Sequence, residues 1–257
     1  MYQVDAFAKK VFQGNPAAVV PLETWDLSDE ELQAIAAENN LSETAFFVDR
    51  GDYFHLRWFT PGAEVRLCGH ATLASAHVLF AELNYSSNEI LFRTLGGDLR
   101  VTRDQEGYSM DFPTDPPEQI EPLRVIEQSL GLTPVEVWKG TDDYLALLES
   151  QEQLDQLEPD LALIKSLNAR GLVVTAPGKD TDIASRCFFP SLRVYEDPVT
   201  GSAHTMLAPF WLEKLGKTSF SGVQGKERKG FLHCTLIDDR VLLAGEAVTY
   251  LRGTIHW

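Results

Sequence analysis

Two short segments, one in each half of the chain, constrain its fold more than anything else in the sequence. Cys68-Gly69-His70-Ala71-Thr72 runs into Leu73-Ala74-Ser75-Ala76-His77-Val78-Leu79-Phe80. Thr200-Gly201-Ser202-Ala203-His204 runs into Thr205-Met206-Leu207-Ala208-Pro209-Phe210-Trp211. A strand-like stretch containing Phe and Pro precedes each, Leu56 to Pro61 and Cys187 to Pro190. Each segment thus places glycine and small polar residues directly before an apolar helix. A helix start carries unpaired N–H groups and partial positive charge, which favours anions. Two such starts facing one cleft would hold a carboxylate or stabilise a developing oxyanion.

The spacing predicts an internal duplication of α+β units, each with strands wrapped around one buried helix. Between His70 and Leu83, nine of fourteen residues are apolar and no polar face emerges, as in a helix surrounded by protein. The first half reads as strands at Tyr2 to Phe7 and Ala17 to Val20, joined through a turn at Gln13-Gly14-Asn15-Pro16. A capping box, Ser28 with Glu31, opens a helix that ends near Asn39-Asn40. Strands follow at Ala45 to Val48, Tyr53 to Phe59, Ile90 to Thr94, Asp98 to Thr102 and Gly107 to Phe112. Thr114-Asp115-Pro116-Pro117 breaks both helix and strand and is the linker candidate. The expected domains are therefore 1–115 and 116–244.

The second half repeats the theme, with strands at Val135 to Lys139, Tyr144 to Leu148, Gly171 to Thr175, Gly230 to Ile237 and Val241 to Ala244. Helices are expected at Pro122 to Leu130, Gln151 to Leu157 and Pro159 to Asn168. The charged run Glu149 to Asp160 reads as a solvated face.

A net charge of −16 over 257 residues argues against nucleic acid and anionic membrane surfaces as partners. An anionic small substrate remains compatible, because a helix-start field acts locally. The amino-terminal residues show no signal-peptide pattern, and no apolar stretch is long enough to span a bilayer. Three widely spaced cysteines, Cys68, Cys187 and Cys234, form neither a disulfide framework nor a CxxC metal site. These features fit a cytoplasmic protein with reduced thiols. No GxGxxG or P-loop supports a nucleotide cofactor, and no His pair has metal-ligand spacing, so neither cofactor nor metal is expected.

Glu43, in Asn40-Leu41-Ser42-Glu43-Thr44-Ala45-Phe46-Phe47, is the candidate acid/base. A carboxyl desolvated by apolar neighbours can exchange protons near neutral pH. A strand-edge Glu facing water would have the same local sequence. His70, at the first helix start, is expected to be neutral, because the positive helix end opposes imidazolium; a capping or packed histidine is the alternative. Asp197 could orient a substrate amine or hydroxyl, or serve only as a turn residue accepting N–H groups. Cys68 and His70 stand two positions apart, which on a helix would not bring them face to face, arguing against a Cys–His hydrolase. Cys187 and Cys234 read as core residues. Gln224 to Gly230 reads as a solvated basic hairpin connection, or as a loop touching an anionic ligand.

Asn15-Pro16-Ala17-Ala18-Val19, Leu41-Ser42-Glu43-Thr44, Cys68-Gly69-His70-Ala71-Thr72 and Glu196-Asp197-Pro198-Val199-Thr200-Gly201-Ser202-Ala203 occur in that order. This pattern resembles the PhzF family, the phenazine-biosynthesis PhzF-like isomerases, nearly end to end. The resemblance implies a diaminopimelate epimerase-like fold of two pseudo-symmetric domains flanking an active-site cleft, with no cofactor and a homodimeric assembly. It implies that Glu43 transfers the proton and that His70 and Asp197 support it. Gly69, Ala71, Thr200, Gly201 and Ser202 would bind the substrate. It also implies that the segment 245–257 returns to the first domain. The expected function is proton movement on a small carboxylate-containing substrate. The alternatives are an epimerase or racemase of an amino or hydroxy acid, and a non-catalytic carboxylate binder.

Overall fold

The computed structural model describes residues 1–103 and 107–257. They form two compact units: Met1–Asp111 with Ala244–Trp257, and Phe112–Leu243. In the first unit, β1 (Tyr2–Ala6) pairs antiparallel with β2 (Asn15–Leu22). Helix α1 (Asp29–Asn39) then leads to β3 (Glu43–Asp49), which lies parallel to β2. The Ser28 capping box is formed in full, with Ser28 N–H donating to Glu31 and Glu31 N–H donating to the Ser28 hydroxyl. Asn40 ends the helix in the left-handed region at φ 49°, a conformation asparagine tolerates better than most residues. Val20, Leu32, Ala36, Phe46 and Phe59 bury the inner face of α1 against the sheet.

Strand β4 (Phe54–Phe59) runs antiparallel to β3, and the short β5 (Glu64–Val65) folds back on it. Helix α2 (Gly69–His77) follows, with every residue from His70 to His77 buried. The chain then leaves α-geometry: Val78–Glu82 form a π-helical turn. Apolar content alone predicts one continuous helix through to Leu83, because it does not distinguish α from π hydrogen bonding. Strands β6 (Glu89–Thr94), β7 (Gly97–Arg103) and β8 (Tyr108–Pro113) follow, and β6 lies parallel to β4.

The second unit repeats this order. Strand β9 (Glu118–Ile120) leads to α3 (Arg124–Leu130), β10 (Glu136–Lys139) and β11 (Asp143–Leu147). Short helices α4 (Gln151–Gln156) and α5 (Leu161–Lys165) stand where α1 stands in the first unit. Then come β12 (Gly171–Pro177), β13 (Ile183–Phe189), β14 (Val194–Asp197) and α6 (Gly201–Leu215). Strands β15 (Ser219–Gln224), β16 (Gly230–Ile237) and β17 (Arg240–Gly245) complete the series. Finally β18 (Ala247–Arg252) pairs antiparallel with β1.

The pairings match unit for unit. Strand β11 is parallel to β12 as β2 is to β3, and β13 is parallel to β15 as β4 is to β6. Strand β9 flanks β10 antiparallel as β18 flanks β1. Helix α2, buried from His70 to His77, packs against β1, β2, β3 and β18, and α6, largely buried, packs against β16, so each unit is built around one central helix. In the second unit, Ile126, Leu154, Ile164, Leu172, Val174 and Phe188 belong to a core between the short helices and the sheet. Among the described residues no helix is long and apolar enough to cross a membrane.

Candidate active site

Glu43 is the first residue of β3, and its side chain is 17% exposed. Parallel pairing places it opposite Ala17 on β2. His70 is the second residue of α2, with its ring almost wholly buried. Nε2 of His70 lies 3.1 Å from Oε2 of Glu43. The two atoms are close enough to attract as charges, yet neither has a well-formed hydrogen bond among the described residues. Such atoms, buried and poorly satisfied, are costly unless another group completes them.

The opposite edge of the ring is also occupied. Nδ1 lies 3.3 Å from Nδ2 of Asn15 and 3.5 Å from Sγ of Cys68. The expectation that Cys68 and His70 point apart is therefore wrong. Cys68 is the N-cap of α2, with an extended backbone (φ −148°, ψ 104°), so helical periodicity does not govern its direction. Burial pushes the Cys68 thiol up to about 11, helped by the negative charge of Glu43, so it is protonated at neutral pH.

Burial disfavours the imidazolium of His70, but its contacts with Cys68 and Glu43 outweigh this and raise the ring above its ordinary value. Since the thiol is protonated at neutral pH, Glu43 is the neighbour that holds a proton on Nε2. The helix-start argument for a neutral ring left this carboxylate out of account.

Donor atoms of Glu43, Cys68 and His70 lie within 4.8 Å of one another, a cluster that sequence spacing did not reveal. Cys68 faces Nδ1 and Glu43 faces Nε2, so the imidazole stands between thiol and carboxylate. The arrangement suits proton movement better than coordination.

In the second unit, Asp197 ends β14, and Thr200 is the N-cap of α6. The Thr200 hydroxyl donates to Oδ2 of Asp197 at 2.5 Å. Gln224, fully buried on β15, accepts the Thr200 N–H at 3.1 Å. Its NH2 donates to the Asp197 carbonyl at 2.9 Å and to Oγ1 of Thr200 at 3.0 Å. Upstream, Arg186 on β13 holds Glu196 bidentately at 2.9 and 2.8 Å and donates to the carbonyls of Leu154 and Leu157, anchoring the strand that carries Asp197. The sequence reading of Gln224 as the start of a solvated connection is wrong for this residue, which ends β15 fully buried, and Arg186 carries no local signal; tertiary pairing reveals both.

The two helix starts correspond. Gly69 and Gly201 begin α2 and α6, and their N-caps share extended geometry, with ψ 104° at Cys68 and 102° at Thr200. Neither N-cap side chain caps its own helix. A side chain four residues on reaches each N-cap carbonyl instead: the Thr72 hydroxyl donates to Cys68 at 2.6 Å, and Nδ1 of His204 to Thr200 at 2.9 Å. Ala71 is fully buried behind the first start, Gly201 is buried at the second, and Gly69 and Ser202 are partly exposed.

The family model described as phenazine biosynthesis-like protein matches residues 4–253. The chain belongs to this PhzF family. An uncharacterized isomerase of Pseudomonas aeruginosa is 51% identical over 256 residues, covering 100% of this chain and 98% of the relative. A PhzF-family crystal structure from Enterococcus faecalis superposes with a TM-score of 0.97 at 45% identity, covering 100% of this chain and 98% of the other. A hydroxyproline epimerase from Agrobacterium vitis, 11% identical with a TM-score of 0.57 over 97% of this chain and 90% of that one, shares the fold. The chain has the diaminopimelate epimerase-like α+β fold and, like its PhzF relatives, is an isomerase.

Proposed function

We propose that this isomerase moves a proton on a small carboxylate-containing substrate, with Glu43 as the acid/base. The observation that carries this reading is the Glu43–His70 contact: a carboxylate and an imidazole 3.1 Å apart, with Oε2 and Nε2 both buried and short of a hydrogen bond among the described residues. A positioned carboxylate of this kind contributes about 10²–10⁴-fold to a proton-transfer step. Glu43 takes a proton from a carbon acidified by a neighbouring acyl or conjugated group and returns it elsewhere. His70 supports it from Nε2. Asp197, and substrate contacts from Gly69, Ala71, Thr200, Gly201 and Ser202, keep the roles that the family resemblance implies. An anionic substrate, a homodimer and a cytoplasmic setting are carried over on the same ground.

The test needs no natural substrate. A panel of small unsaturated, amino and hydroxy carboxylates is incubated with the enzyme in D2O, and deuterium uptake at carbon is read by NMR. Glu43→Gln should keep the melting temperature and lose uptake by about 10²-fold or more. Exchange at the wild-type rate in a folded Glu43→Gln variant overturns the mechanism. Uptake with inversion at one stereocentre would instead mark an epimerase.

A further inference from the structure

Asn15 takes no part in the chemistry above, yet it is completely buried beside it. It opens β2, directly after Gly14, whose φ of +62° turns the chain into the strand. Its side-chain amide links two elements of the site. Oδ1 accepts from the Ser42 hydroxyl at 3.3 Å, and Ser42 immediately precedes Glu43. Nδ2 lies 3.3 Å from Nδ1 of His70. A directed chain therefore runs from Ser42 through Asn15 to the ring that faces Glu43.

When the ring gives up one of its two protons at high pH, the direction of that chain decides which nitrogen keeps the other. With its oxygen engaged by Ser42, the amide presents its NH2 to the ring. The Cys68 thiol, protonated and 3.5 Å away, is able to donate to the same nitrogen. A ring nitrogen approached by two donors keeps its lone pair, and the proton of the neutral ring goes to the other nitrogen. That nitrogen is Nε2, beside Glu43. Glu43 and Cys68 are the titratable groups that the described contacts bring against the ring: Glu43 lies at Nε2, and the protonated Cys68 thiol lies at Nδ1.

We propose that Asn15 is a positioning residue that fixes the tautomer of His70, so that the ring presents N–H rather than a lone pair to Glu43. The role is the one that partners of an imidazole commonly play at functional sites: they set ring orientation and proton position without touching substrate. The proposal rests on the Glu43 reading only for its functional meaning, and its experiment is independent of turnover.

The experiment uses the full-length protein labelled with 15N-histidine. Long-range 1H–15N correlation spectra are recorded across the stable pH range, and His70 is assigned by the signals lost in His70→Gln. In the neutral wild-type ring, Nδ1 should give the shift of an unprotonated acceptor, and Nε2 that of a protonated nitrogen. Asn15→Asp places an acceptor opposite Nδ1; it should move the proton there and raise the proton affinity of His70 at least tenfold. Asn15→Ala removes the donor without adding charge and should raise that affinity by less.

A protonated Nδ1 in the neutral wild-type ring overturns the proposal, and this is read without any variant. So does a folded Asn15→Asp or Asn15→Ala protein whose His70 titrates as in wild type. Such a failure leaves the Glu43→Gln exchange result standing, and loss of the Glu43 reading leaves the measured tautomer unchanged.

Discussion

His204 should make the stability of this protein fall steeply in mild acid. The ring is fully buried in the first turn of α6, with Nδ1 donating to the Thr200 carbonyl and Nε2 lacking a partner among the described residues. Burial lowers its pKa from the ordinary 6.5 to about 4. An unfolded chain therefore binds a proton at this residue below about pH 6.5, while the folded chain binds one only below about pH 4. Between these values the unfolded state holds more protons, so stability decreases as pH falls and levels off below the folded pKa. Each pH unit of separation is worth about 1.4 kcal/mol, so this one side chain accounts for about 3 kcal/mol in full and about 2 kcal/mol by pH 5.

The perturbation is His204→Asn, which keeps an N–H able to reach the Thr200 carbonyl and removes the titrating ring. The cavity it leaves costs stability equally at every pH, so the slope and not the level carries the answer. Urea unfolding of both proteins at pH 8, 7, 6 and 5 gives the difference directly, and contributions from other titrating groups cancel. The wild type should lose about 2 kcal/mol more than the variant between pH 8 and pH 5. Parallel stability curves would refute the reasoning.

Two further outcomes follow from the packing. A Cβ at Gly14 would sit 2.0 Å from the Ala6 carbonyl oxygen at φ +62°, so Gly14→Ala should destabilise the first unit by about 1–3 kcal/mol or more and lower the midpoint of thermal unfolding. Cys68, buried and pushed up to about 11, should react with iodoacetamide at pH 7.5 far more slowly in the native protein than in urea, because the thiolate is the nucleophile; mass spectrometry of the labelled peptide reads the ratio.

Local signals carried into the structure where a residue's role was local. Ser28 and Glu31 announced α1, and glycine before an apolar run announced both central helices. Strands β14 and β15 were not legible: Val-Tyr-Glu-Asp and Ser-Phe-Ser-Gly-Val-Gln carry too few apolar residues to read as strands, and pairing with β13 is what makes them so. The site divides the same way. Glu43 stood out as a carboxylate beside apolar strand residues, and His70 as a histidine at a helix start. Their contact, and that of Asn15 with Nδ1, joins positions 27 to 55 residues apart, beyond any local pattern. Asn15 looked like half of an Asn-Pro turn, although its place in the first of the four ordered motifs could have marked it.

The pairing of β1 with β18 bears on how the polypeptide is made. The amino group of Met1 donates to the carbonyl of Gly253, 252 residues away, and Tyr2 lies against Arg252. At about 5–20 residues per second, a ribosome needs on the order of ten to fifty seconds to travel from one partner to the other. Throughout that interval the outer edge of β1 has no strand to pair with. The second unit, contained within residues 112–243, can close while the first still waits. The first unit, begun earliest, is thus completed last, and a nascent chain stalled before residue 247 would display an open sheet edge to whatever surrounds it.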